Sequence, residues 1–283
     1  METYHNLYLN ARSRLMPFGE RAAQLEARYL IMFAAGKTFE ELTRDYQMYA
    51  SDKIQSCVSD MLERRLTGEP LAYIMGSWEF YGLTLTITRD VLIPRVDTEV
   101  LADAAVKQAK SAGEGCRVLD LCAGSGCVGL AVARNVPDAR VTLTDNSEAA
   151  LKVAKLNARA HNLTVTLINA DVFKTPSSLG NFDVITCNPP YIAAAEIQTL
   201  DASVRDYEPA AALDGGADGL DFYRAVTRNW GGLLRESGRL MFETGIGQMG
   251  EVQKICRLTG LETVEVIRDT NDIERVLIVS SGG

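Results

Sequence analysis

Apolar and polar positions change their period twice along the chain. From the N-terminus to about Pro70 the apolar residues recur at helical spacing, and no stretch alternates β-branched with polar residues. Thr38 and Glu41 have the spacing of a capping box, which predicts a helix opening after Thr38 and running through Tyr49. Ser51 or Asp52 is placed to cap another, in which Ile54, Val58, Met61, Leu62 and Leu66 share a face until Gly68 and Pro70 stop it. Between Tyr73 and Ile93 the period becomes two: Leu83, Leu85 and Ile87 alternate with Thr84, Thr86 and Thr88 behind Gly82, the pattern of a strand or hairpin.

From Asp97 onward, helical stretches alternate with short apolar runs at 117–121, 140–144, 164–168 and 183–187. Such alternation implies a parallel, doubly wound sheet. The end differs, because runs at 239–243, 262–267 and 275–280 enclose a single helix at 247–258; the last two are expected to pair as an antiparallel hairpin. The expected organisation is a small helical domain over 1–72, a β-hairpin linker over 73–94, and a Rossmann-like α/β domain over 95–283.

Length and composition agree with two domains of unequal size: the chain has 283 residues, 47% hydrophobic and 23% charged, as soluble globular proteins do. A formal net charge of −8 disfavours a stable grip on nucleic-acid phosphates. The N-terminus lacks the basic start and apolar core of a signal peptide, and the longest apolar stretch, 29–35, is far short of the ~20 residues of a membrane span. A cytoplasmic protein with no membrane association is expected. The six cysteines form no C-x-x-C pair and read as free, buried thiols. With only His5 and His161, no metal site and no histidine-based triad is expected.

Candidate chemistry begins at residues 118–129, where a strand passes through Asp120, Cys122, Ala123, Gly124, Ser125 and Gly126 into a helix rich in Leu, Ala and Val. Glycines in such a turn let backbone approach a ligand closely, and ligands of open α/β sheets lie beyond the carboxyl ends of strands. Gly124, Gly126 and Gly129 also fit the dinucleotide fingerprint. Asp145, at the end of the next strand, suits ribose hydroxyls of either kind of adenosine cofactor. Asp171, beside Val172 after the third strand, could accept from an adenine amino group. Asp120 lies among apolar residues, so it needs a partner, and it is expected to orient the glycine turn or face the ligand.

The fourth strand ends in Asn188-Pro189-Pro190-Tyr191. The lone pair of an amide or aromatic amine is delocalised, so attack by that nitrogen requires both N–H groups to be held. The Asn188 side-chain oxygen and the Pro189 carbonyl supply two acceptors, and Tyr191 can stack on the planar group. These residues point to methyl transfer onto a planar nitrogen by positioning and electrostatics, with no covalent intermediate and no strong base.

The sequence resembles the peptide chain release factor glutamine methyltransferases, the PrmC or HemK family, over nearly its whole length. The resemblance rests on Gly68-Glu69-Pro70, Glu79-Phe80-Tyr81-Gly82, Leu92-Ile93-Pro94-Arg95 with Asp97-Thr98-Glu99, the glycine turn and Asn188-Pro189-Pro190-Tyr191. Further marks are Tyr207-Glu208-Pro209, Ala212-Leu213-Asp214-Gly215-Gly216, Asp218-Gly219-Leu220 and Phe242-Glu243. It implies a class I methyltransferase fold and N5-methylation of the glutamine in a release factor's Gly-Gly-Gln motif. The N-terminal helices would recognise that partner, and S-adenosylmethionine would be held by Cys122–Gly126, Asp145, Asp171, Val172 and Asn188. Cys122-Ala123 stands where the family commonly has Gly-Thr, and Val96 where it often has Pro. Arg95 is read as reaching substrate, bracing the domain junction or forming a structural ion pair; Glu243 as a site residue or a partner for the loop around Arg205. Two rival readings share the residues: a methyltransferase of adenine or guanine amines in nucleic acid, and a noncatalytic dinucleotide sensor.

Overall fold

A computed structural model describes residues 2–176 and 179–282. The chain divides into two compact units. One takes the chain up to Gly76 together with Ala202–Tyr207; the other takes Ser77–Asp201 and the chain from Glu208.

The first unit is helical: α1 (Tyr4–Leu15), α2 (Glu20–Ala35), α3 (Phe39–Arg44), α4 (Asp52–Leu66), α5 (Leu71–Met75) and, later in the chain, the single turn α9 (Ala202–Arg205). Ala11, Leu15, Ala27, Leu30, Ile31 and Val58 are fully buried and form its interior. The capping box closes as expected, Thr38 and Glu41 exchanging side-chain to backbone bonds, but α3 ends at Arg44 and not at Tyr49. There Asp45 draws in Lys37 (2.7 Å) and Arg44 (2.8 Å), while Tyr46 and Met48 turn back to accept the His5 and Tyr4 N–H groups. Ser51 caps α4.

In the second unit, β1 (Ser77–Phe80) and β2 (Leu83–Thr86) form an antiparallel hairpin in which Phe80 pairs with Leu83. Tyr81 (φ 48°) and Gly82 (φ 74°) make its two-residue turn, whose twist requires positive φ at both positions. The hairpin starts at Ser77 and not at Tyr73, because 71–75 remain helical. Buried Asn157 grips it, accepting the Thr86 N–H (2.7 Å) and donating to the carbonyls of Thr86 (3.1 Å) and Ser125 (3.0 Å).

The remaining elements are α6 (Thr98–Ala112), β3 (Arg117–Leu121), α7 (Cys127–Asn135), β4 (Arg140–Asp145), α8 (Glu148–Ala160), β5 (Thr166–Asn169), β6 (Phe182–Cys187), α10 (Asp221–Asn229), β7 (Leu234–Glu243), α11 (Met249–Leu258), β8 (Leu261–Arg268) and β9 (Glu274–Ser281). They build a seven-stranded sheet of order β5-β4-β3-β6-β7-β9-β8. The first five strands run parallel, and β9 enters antiparallel to both β7 and β8. Leu119, Leu121, Ile185, Cys187, Leu240 and Phe242 share one buried cluster with Tyr223, Val226, Trp230 and Val252. Their neighbours in sequence, Val118, Val184 and Met241, are buried too, so the strands read as continuous apolar runs and not as alternating ones.

Strand order reverses between β3 and β6, where Leu121 pairs with Cys187. Cys122 and Asn188, the next residues, therefore leave the same sheet edge side by side, at the switch point where open α/β sheets bind ligands.

Candidate active site

The turn from β3 into α7 is closed by the Gly126 N–H on the Ala123 carbonyl (2.7 Å) and tied to β4 by the Ala123 N–H on Thr144 (3.0 Å). Cys122 (φ 56°), Gly124 (φ 54°) and Gly126 (φ 82°) all occupy left-handed backbone. A cysteine there carries roughly 1–2 kcal/mol of local strain that glycine avoids, which gives a physical reason for the glycine expected at that position from the resemblance. Gly129 serves packing: a Cβ on it would lie 2.1 Å from Leu143 Cδ2, so only glycine lets α7 lie this close to β4.

Two carboxylates brace the turn. Asp120 is buried; its Oδ2 accepts the Gly129 N–H (3.0 Å) and its Oδ1 the Thr186 hydroxyl (2.8 Å). Burial outweighs those bonds and pushes its carboxyl up to about 7, with the neighbouring charge of Asp145 adding to the shift. Asp145 accepts the Gly124 N–H on Oδ2 and the Ser147 N–H on Oδ1, each at 2.9 Å. Burial raises it as well, against the pull of these backbone donors.

A cavity of about 970 Å³, counting its part open to solvent, lies over this turn. Asp120, Cys122, Ala123, Gly124, Ser125, Asp145, Val172, Asn188 and Pro190 all line it. Gly126, Arg95, Asp171, Pro189 and Tyr191 are not on its wall. Asp171 instead accepts the Phe173 N–H (2.9 Å) and shapes the turn that carries Val172, whose carbonyl takes bonds from Asn229 and Trp230, both 3.1 Å. Sequence reasoning missed Val91, Leu92, Pro209, Ala211, Ala212 and Phe222, which supply apolar wall. The Leu92-Ile93-Pro94 and Glu208-Pro209 blocks carry the family resemblance, and their prolines and apolar neighbours are the sequence signal for this wall.

Asn188 donates through Nδ2 to the Thr98 hydroxyl (3.2 Å), leaving Oδ1 as the free end of its amide. The loop after it is braced by the Leu213–Gly216 block: Ile192 N–H binds Leu213 (3.0 Å), Gly215 N–H binds Ile192 (2.9 Å), and Gln248 donates to the Tyr191 carbonyl (2.8 Å). The Tyr191 phenol lies against Glu243, and burial together with that carboxylate pushes it up to about 12. Glu243 is 2% exposed and its Oε2 has no hydrogen-bond partner. Burial lifts its carboxyl to about 7, against the hydroxyls of Thr98 and Tyr191 and the charge of Arg275. Its neighbours include these groups. Arg95 pairs with the buried carboxylate of Glu208. Among the described residues, no group of three or more His, Cys, Asp or Glu converges as metal ligands would.

The PrmC N-terminal domain model matches residues 6–76 and the methyltransferase small domain model residues 96–205. The chain is 39% identical over 266 residues to the release factor glutamine methyltransferase of Geobacter sulfurreducens, covering 94% of this chain and 92% of that one. It is 40% identical over 224 residues to that of Thermodesulfovibrio yellowstonii, covering 78% and 80%. A methyltransferase structure from Pyrococcus furiosus aligns with a TM-score of 0.53 at 18% identity, over 80% of this chain and 100% of that one, a likeness of fold. Identity of this extent, over a strand edge that joins a glycine turn to Asn188-Pro189-Pro190-Tyr191, places the chain in the release factor glutamine methyltransferase family.

Proposed function

We propose that this chain methylates the side-chain amide nitrogen of the glutamine in a release factor's Gly-Gly-Gln motif, with S-adenosylmethionine as donor. The observation that carries the reading is Asn188: it lines the cavity, its Nδ2 is engaged by Thr98, and its Oδ1 is left to accept an N–H from a bound amide. The relatives bearing that activity in their names support the choice of substrate.

The cavity fits the donor. Asp145 offers lone pairs to ribose hydroxyls beyond those used by Gly124 and Ser147; Val172, Ala170 and Phe222 give the apolar wall an adenine ring needs; Asp120 and the backbone of 122–125 floor it. Bound there, the donor would supply an electrophilic methyl group to the amide nitrogen and would leave as a neutral thioether. Asn188 Oδ1 and the Pro189 carbonyl accept the two amide N–H bonds and turn the nitrogen lone pair toward the cavity. The same acceptors stabilise the positive charge that grows on nitrogen, so the protein contributes position and preset dipoles. The proton released from the methylated nitrogen passes to solvent.

No helix among the described residues is long and apolar enough to cross a membrane, in keeping with a protein working beside its release factor in the cytoplasm. The test is methyl incorporation from labelled donor into a purified release factor, beside one whose Gly-Gly-Gln glutamine is alanine. Label in the first alone supports the reading; label in neither, or in nucleic acid only, refutes it. Asn188→Ala is expected to abolish transfer while cofactor binding, measured by calorimetry, persists.

A further inference from the structure

Asn157 of α8 is 0% exposed, and both ends of its amide are engaged. Oδ1 accepts the Thr86 N–H at 2.7 Å, while Nδ2 donates to the Thr86 carbonyl at 3.1 Å and to the Ser125 carbonyl at 3.0 Å. The partners fix which end is which, since a reversed amide would set its oxygen against two carbonyls and its nitrogen against an N–H. One side chain is thereby bonded to two segments that are far apart in sequence and both lead to the cofactor cavity.

The first segment is the glycine turn. Asp145 and Asp120 hold its N–H groups at Gly124 and Gly129, and Asn157 holds its carbonyl at Ser125. Ser125 lines the cavity, and Gly126 after it, at φ 82°, has no Cβ to oppose rotation of the peptide between them. The bond to Asn157 keeps that carbonyl on a buried partner. The second segment follows β2. Thr86 ends the strand and Ile87 behind it is buried. The Val91 N–H on the Thr88 carbonyl (3.2 Å) and the Thr88 hydroxyl on Asp90 (2.9 Å) then close a turn that delivers Asp90, Val91 and Leu92 to the cavity wall.

We infer that Asn157 is a positioning residue for S-adenosylmethionine, setting the spacing between the cavity floor at Ser125 and the wall at 90–92. It does so without touching the ligand, because it lies off the cavity wall. An amide shortened or turned would leave three buried backbone groups to find new partners, and floor and wall would shift independently. His161, which caps α8, donates through Nε2 to the Thr84 carbonyl at 2.8 Å. It grips the hairpin and leaves the floor alone, which makes it the control.

This inference rests on the cofactor reading of the cavity, whatever the methyl acceptor. Calorimetric Kd for S-adenosylmethionine, and kcat at saturating donor, are measured for the wild type, Asn157→Asp, Asn157→Ala and His161→Ala. Asn157→Asp keeps the shape and the acceptor for Thr86 and loses both donors. In both Asn157 variants Kd is expected to rise about tenfold or more. Their kcat should stay within about threefold of wild type, since what is lost is binding and not transition-state stabilisation. His161→Ala should bind as the wild type does. Wild-type Kd in Asn157→Asp overturns the inference, and so does an equal loss of affinity in His161→Ala, which would assign the effect to the hairpin as a whole. If neither Asn157 variant folds, hydrogen exchange on the wild type decides. On addition of S-adenosylmethionine, β2, which is off the cavity wall, should slow its exchange more than α11; equal slowing overturns the inference. A wild type that binds no S-adenosylmethionine overturns the reading of the cavity itself, whereas wild-type binding with unchanged variants overturns the inference alone.

Discussion

Asp120 Oδ2 accepts the Gly129 N–H at 3.0 Å, and this one bond joins the strand and the helix on either side of the glycine turn. It forms only because Gly129 lets α7 approach. A Cβ there would stand 2.1 Å from Leu143 Cδ2 and 3.1 Å from Asp120 Oδ2, and Leu143 is fully buried with nowhere to move. Gly129→Ala is therefore expected to destabilise the fold by about 1–3 kcal/mol and to weaken cofactor binding as the turn shifts. Thermal denaturation beside calorimetry checks both; an unchanged melting temperature would show that α7 can slide without loss.

Stability should depend on pH in a window set by Asp120 and Glu243. Both titrate at about 7 in the fold, against ordinary values of 3.8 and 4.5. The folded state thus binds more protons than the unfolded chain between the two values. The stabilisation is fully present below the unfolded values and is lost as pH rises toward 7, at up to ~1.4 kcal/mol per pH unit for each group. Asp218, held at about 2 by Arg224, loses its contribution only on the acid side of 3.8 and leaves this window flat. Denaturant midpoints across the window should fall with pH in the wild type and fall less steeply in Glu243→Gln. Parallel slopes would place the titrating groups elsewhere.

Gly215 tests the loop that carries the substrate pocket. A Cβ on it would meet Tyr191 Cα at 2.8 Å, Gly219 Cα at 2.9 Å and the Pro190 carbonyl at 2.9 Å, all of them backbone. Nothing flexible is available to yield, so Gly215→Ala must push Pro190 and Tyr191 off their line. The expectation is a fall in kcat on the order of tenfold to a hundredfold, with cofactor affinity falling much less, because Asn188 and Pro190 share the cavity wall with a glycine turn that lies on a different strand. Loss of cofactor binding in step with kcat would instead mean that the whole edge of the sheet had moved.

The strands and the turn were legible because their signals are local. The apolar runs that became β3, β4 and β6 had to be buried on both faces, and the glycines had to sit where φ is positive. Asn188 was legible because two prolines after a strand leave few alternatives. What escaped is set by distant pairing. Nothing near Glu243 in sequence shows that Thr98 and Tyr191 face it, and nothing near Phe222 places it on a cavity floored by residues a hundred positions earlier. Tyr191 illustrates the same limit: the motif points to stacking on a planar group, and nothing in it shows that the ring lies beside Gly245 and the phenol toward Glu243. The helix expected through Tyr49 failed because Asp45 found Lys37 and Arg44, a competition that periodicity does not register.

Arg95 can be assigned by separating stability from substrate affinity. Glu208 is 1% exposed at its side chain; it accepts the Ile93 N–H at 3.3 Å and otherwise depends on Arg95. The pair links the segment of Leu92, on one part of the cavity wall, to that of Pro209 on another. Arg95→Ala would leave Glu208 buried with one long hydrogen bond, at a cost of roughly 1–3 kcal/mol, below that of a fully buried pair because Arg95 itself is partly solvated. Cofactor affinity should fall with it. Adding Glu208→Gln removes the stranded charge while keeping an acceptor for Ile93, so the double variant should regain most of the stability and of the cofactor affinity. If Arg95 also touches the release factor, KM for that substrate stays high in the double variant after the fold has recovered. If the pair is structural only, KM recovers with the melting temperature.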